Sequence, residues 1–106
     1  MRLLFMAVHH PKPEHVDDLV GAMTRFGGVL ASTDGVLHAS AWRADGQIVA
    51  ISIWDSRDRF VAAGLALAAA IADVPFGAWE ARPRELLMLD EVATADVSGR
   101  ASRGRG

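Results

Sequence analysis

The pair Asp45-Gly46 lies between two runs of alternating character, Val36 to Ala44 and Gln47 to Trp54, and it constrains the chain more than any other feature. Asp-Gly flanked by alternating apolar residues is a strong hairpin signal, because glycine supplies the positive φ that the reversal needs. The register is open to two choices. A two-residue loop pairs Arg43 with Ile48, whereas a three-residue loop with Gly46 as a bulge pairs Arg43 with Gln47. The bulged choice segregates the chemistry, with Leu37, Ala39, Ala41, Val49, Ile51 and Ile53 on one face. The other face then carries His38, Ser40, Trp42, Ile48, Ala50, Ser52 and Trp54. Because a one-residue slip moves every side chain to the opposite face, the segregating register is the expectation. A face with two tryptophans, a histidine and two serines suits neither solvent nor an ordinary core. It reads as a cavity wall.

With 106 residues, 51% of them hydrophobic and 23% charged, the chain can bury one modest core. We expect a single domain over 1–92, followed by a flexible Arg/Gly/Ser tail over 93–106. There is no cysteine, and hence no disulfide or thiolate chemistry. The apolar run Met1 to Val8 is too short to span a bilayer, so neither a membrane nor a targeting segment is expected and the cytoplasm is the default. A net charge of −2, with Arg100, Arg103 and Arg105 in the tail, does not suggest a nucleic-acid partner.

Arg2 to His10 reads as a first strand with apolar residues at both parities, closed by Pro11. Leu4, Met6 and Val8 are expected to pack on helices, leaving Phe5, Ala7 and His9 toward the cavity. Pro13 suits a first helical turn, and Val16, Leu19, Val20, Met23, Phe26 and Leu30 define one buried stripe of a helix. Thr33-Asp34-Gly35 turns into the hairpin. Ser56 is placed to cap a second, alanine-rich helix running to about Ala72 and stopped by Pro75. A short turn over Phe76 to Ala81 and a last strand from Arg84 to Val92 complete the order strand, helix, strand, strand, helix, strand. That order predicts an α+β, ferredoxin-like βαββαβ fold with a four-stranded antiparallel sheet. Helices on one side leave the other face of the sheet bare, which calls for a partner, and a homodimer is expected.

Over residues 2–92 the chain resembles the antibiotic biosynthesis monooxygenases, a family of small dimeric α/β barrels. The likeness rests on the strand order, the His10-Pro11-Lys12-Pro13-Glu14 entry to helix one, the Asp34-Gly35 start of the hairpin, and Ile53-Trp54-Asp55-Ser56-Arg57 followed by Phe60. The resemblance implies two sheets facing each other across a dimer axis, with a pocket in each subunit. Quinone-forming members carry a tryptophan at the end of strand three, matched by Trp54, but their asparagine falls on Ala50 and their tyrosine on Phe60. The asparagine and helix-two histidine of haem-degrading relatives have no counterpart. Polyketide cyclases, a related set of barrels, use histidine acid–base chemistry, which the histidines here keep open.

Among candidate residues, His38 is favoured as a base, since imidazole titrates near neutrality; the plainer alternative is a histidine satisfied by a backbone carbonyl. Trp54 is its catalytic partner by the resemblance. Of His9 and His10, which point to opposite faces, His9 is expected inward as a substrate contact, with Phe5, Ser40, Trp42 and Ser52. The two indoles could stack on a planar ligand or simply pack, and the serines could orient a hydroxyl or act as spacers. The histidines match no metal-ligand spacing, and no metal or organic cofactor is expected. The functional expectation is a cofactor-independent oxidation of a polycyclic phenol or anthrone to a quinone. A polyketide cyclase or isomerase, and a ligand-binding barrel without catalysis, are the alternatives. Arg43 is placed away from the cavity, so a flat, mostly apolar aromatic is expected in preference to a sugar, a nucleotide or a charged acid.

Overall fold

The computed structural model describes residues 1–96; the remainder of the expected tail, 97–106, lies outside the described residues. Strand β1 (Leu3–His9) leads through a 3-10 turn at Pro13–His15 into helix α1 (Val16–Ala31). The hairpin β2 (Val36–Ala44) and β3 (Gln47–Trp54) follows, then α2 (Arg57–Ala70), a single turn α3 (Phe76–Trp79) and β4 (Glu85–Asp90). The sheet is antiparallel in the order β2-β3-β1-β4, which is the ferredoxin-like arrangement expected from the element order.

Local chemistry accounts for the boundaries. Ser56 caps α2, its hydroxyl accepting from the Arg59 amide at 3.2 Å. Gly35 takes φ +91°, and a Cβ there would lie 2.5 Å from Cβ of Arg59, so both backbone conformation and space demand glycine. The Gly35 carbonyl in turn accepts from the Asp55 amide at 2.9 Å, which ties the start of β2 to the end of β3.

The hairpin register differs from the expected one. Ala44 pairs with Gln47 and Arg43 with Ile48, a two-residue loop in which only Gly46 takes positive φ. The bulge lies at the opposite end of the strand, between Val36 and His38. The consequence is a different partition of the faces. One face presents the rows Val36–Trp54–Leu3, Ala39–Ser52–Phe5–Met88, Ala41–Ala50–Ala7–Leu86 and Arg43–Ile48–His9. The other presents His38–Ile53–Leu4–Leu89, Ser40–Ile51–Met6–Leu87 and Trp42–Val49–Val8–Glu85. Segregation of polar from apolar residues misled because both faces carry mainly apolar residues, so neither supplies the solvent contrast that fixes a register.

Both long helices lie over the first of these faces. Leu3, Leu30 and Trp54 form its sealed end, joined by Phe26, Val36, Phe60 and Leu67. Leu4, Met6 and Val8, expected against the helices, are instead on the uncovered face, while Phe5, Ala7 and His9 point under α1 and α2. On the uncovered face Trp42 is 63% exposed, and Leu87 and Leu89 are also exposed.

Candidate functional site

The helix side of the sheet is not filled by its own side chains. Ala7, Ala39, Ala41 and Ala50 are too short to reach α1 and α2, and α2 answers with Gly64 and Ala68. A cavity of ≈ 520 Å³ remains, within the range of small-molecule sites. Its walls are Phe5, Ile48 and Leu86 of the sheet, Met23 and Phe26 of α1, Phe60, Leu67 and Ile71 beside α2, and Phe76. Phe5 stacks on Phe60 at 5.1 Å, and Phe60 meets Trp54 edge-on at 5.3 Å. Five polar residues border this wall, His9, Thr24, Ser40, Ser52 and Arg84, and the Thr24 hydroxyl is spent on the Val20 carbonyl at 2.9 Å.

His9 ends β1 and is 2% exposed. Its Nδ1 lies 3.2 Å from Oε2 of Glu80, a side chain as deeply buried as its own. Glu80 is held there by backbone pairing: Ala81 N–H donates to the His10 carbonyl at 2.8 Å, and Lys12 N–H to the Trp79 carbonyl at 2.8 Å. The other oxygen of Glu80 accepts the His10 amide at 2.9 Å. As a carboxylate, Glu80 offers only acceptors, so the imidazole proton belongs on Nδ1 and Nε2 carries a lone pair. Among the described residues no sealed polar side-chain atom lacks a partner, and Nε2 bonds to no protein group; it therefore opens onto the cavity. Burial pushes the His9 pKa down, the Glu80 bond and charge oppose this, and Arg84 and His10 add to the lowering. The lowered pKa favours the neutral imidazole, and the Glu80 bond orients its tautomer, the arrangement that a general base needs.

Phe76 stacks on His9 at 5.6 Å, and the Arg84 guanidinium lies 4.1 Å from the Phe76 ring centre. The cavity wall thus contains a fixed cation, contrary to the expectation of a wall nearly free of charge. No signal placed Glu80, Phe76 or Arg84 here from sequence. They fall in and after the irregular segment behind Pro75, which the bridge to Pro11 and the start of β4 bring to the end of β1.

The expected site residues divide. Phe5, His9 and Ser52 line a cavity, but it lies on the helix side of the sheet and not on the helix-free face where the cavity wall is expected. Ser52 also accepts from Trp54 Nε1 at 2.9 Å, and Trp54 is fully buried in the core beyond the cavity wall. His38, Ser40 and Trp42 point from the opposite face, where Ser40 Oγ accepts from Trp42 Nε1 at 2.9 Å and lies 2.9 Å from His38 Nε2. Ser40 borders the cavity at its place in β2, but its hydroxyl is engaged on the far side. The two-residue loop is the physical reason that this group and Trp54 lie on different faces. Among the described residues, no cluster of histidine and carboxylate side chains could hold a metal ion. No helix of the described residues is long and apolar enough to cross a membrane.

No protein-family model matches the chain, and no curated protein matches it. Solved structures do. Rv0793 from Mycobacterium tuberculosis superposes with a TM-score of 0.74 at 19% identity, over 91% of this chain and 100% of that one. An asparagine-to-alanine mutant of SnoaB, a cofactor-independent oxygenase from Streptomyces nogalater, gives 0.73 at 16% identity, over 88% and 95%. A structure named antibiotic biosynthesis monooxygenase gives 0.70 at 18% identity, over 86% and 99%. The likeness drawn from sequence is borne out in the fold.

Proposed function

From the fold shared with the antibiotic biosynthesis monooxygenases, we propose that this chain is a cofactor-independent oxygenase acting on a polycyclic phenol or anthrone, with His9 as its base. The observation that carries the proposal is the His9–Glu80 pair, buried at 3.2 Å with Nε2 open to an apolar cavity. His9 takes a proton from the activated C–H or O–H of the ligand, and Glu80 stabilises the imidazolium that results. The electron-rich anion passes an electron to dioxygen, and the radical pair, kept from water by the apolar walls, combines to a C–O bond. His9 returns its proton to give the hydroperoxide. Loss of water, breaking the O–O bond and the remaining C–H bond, leaves the carbonyl of the quinone. One CH₂ and one O₂ thus become one C=O and one H₂O.

The uncovered face supports a homodimer, since apolar rows on three strands would otherwise remain in water. A cyclase or isomerase would use the same base to enolise a polyketide without consuming oxygen. An oxygen electrode separates the two: with 1,8-dihydroxyanthrone, uptake of one O₂ per quinone formed is expected. Conversion of a polyketide without oxygen uptake would replace the oxygenase by the cyclase.

A further inference from the structure

Arg84 is the fixed charge in the cavity wall that its surroundings do not explain. The other arginine pairs of the described residues are on the surface: Arg2 with Glu91, Arg57 with Asp90, and Arg59 with Asp34. Among the described residues no carboxylate lies within ion-pair distance of Arg84, although Glu80 and Glu85 are close in sequence. Glu80 is committed to His9 and the His10 amide, and Glu85 to His10 Nε2 at 2.8 Å. The guanidinium rests on Phe76, whose ring also packs against His9, so cation, ring and base form one layered wall. The guanidinium carbon lies 4.1 Å over the Phe76 ring, and among the described residues its N–H groups donate to no protein acceptor, which leaves them to meet an incoming oxyanion.

We propose that Arg84 is the anion-recognising residue of the cavity, and that the ligand is an aromatic molecule whose anionic oxygen meets Arg84 on the wall it shares with Phe76 and His9. This narrows the substrate class to acidic phenols, enols and their anions. It also gives the negative charge created by deprotonation a fixed counter-ion, in a place where an unpaired charge would be costly. It rests on the cavity being the ligand site and not on the oxygen chemistry.

The test uses the full chain and three probes of matched size: 4-nitrophenol, whose anion absorbs in the visible, 4-nitrobenzoate, and neutral nitrobenzene. Wild type is expected to bind the nitrophenolate more tightly than nitrobenzene and to lower its apparent pKa. Arg84→Gln should weaken anion binding about tenfold, the scale of one charge-assisted bond, and abolish the pKa shift while leaving nitrobenzene binding unchanged. Arg84→Lys should restore part of both. Binding of nitrobenzoate with the same arginine dependence shows that any aromatic oxyanion is taken; its rejection alongside nitrophenolate binding restricts the class to phenols and enols. Equal binding of nitrophenolate and nitrobenzene, unaffected by Arg84→Gln, overturns the inference and spares the cavity. Failure of all three probes to bind wild type overturns the cavity as the ligand site and this inference with it.

Discussion

Replacing Glu80 by glutamine isolates the contribution of the carboxylate with almost no change of shape. The glutamate accepts two hydrogen bonds, from His9 Nδ1–H and from the His10 amide at 2.9 Å. Glutamine has one acceptor and one donor end. If its oxygen keeps the His10 amide, its NH₂ faces His9 Nδ1, and the imidazole must move its proton to Nε2 to avoid two opposed donors. The cost in stability is the difference between a charge-assisted and a neutral bond, about 1–2 kcal/mol. The cost in activity is larger. Nε2 becomes a donor, the base is lost, and turnover should fall by about 10²–10⁴-fold. Urea denaturation checks the first figure and quinone formation from 1,8-dihydroxyanthrone the second, while nitrogen NMR of labelled histidine reads the tautomer directly. A glutamine variant with unaltered turnover, or a wild type whose His9 carries its proton on Nε2, would refute this reasoning.

Folding should lose stability as pH falls below about 6.5, the ordinary histidine value. The unfolded chain then binds a proton at His9 that the folded chain resists, so unfolding free energy rises with pH through this window, and His9→Gln should flatten the slope in urea melts at pH 5.5 and 7. Gly35→Ala should destabilise by about 1–2 kcal/mol for the positive φ alone, and by more for the approach to Arg59; a thermal melt unchanged from wild type would contradict the turn geometry. Val49→Asp, on the uncovered face between Trp42 and Val8, should convert the proposed dimer to monomer in sedimentation while leaving the monomer folded.

How much could be foreseen divides along a physical line. Periodicity, proline stops and the Ser56 cap locate every strand and helix to within a few residues, because these are local signals. Alternation groups Phe5, Ala7 and His9 on one face, but it does not say which face the helices cover, and the expected orientation of β1 is reversed. The hairpin register does not follow, since Ala39 and Ala41 are small residues lining a cavity, while their apolar character reads as ordinary packing. Glu80 and Arg84 were beyond reach for a different reason. The partners of Glu80 lie at the end of β1, joined through a bridge between irregular segments, and Arg84 meets Phe76 of that same segment; no period or spacing marks such contacts.

The account stands on His9 being the cavity base and His38 lying outside the cavity, on the opposite face. Oxygen uptake with 1,8-dihydroxyanthrone, measured for His9→Ala and His38→Ala alongside wild type, tests this in one experiment. His9→Ala should lose at least about a hundredfold in rate, and His38→Ala should turn over like wild type. The reverse order, with His38→Ala inactive and His9→Ala unimpaired, would contradict it.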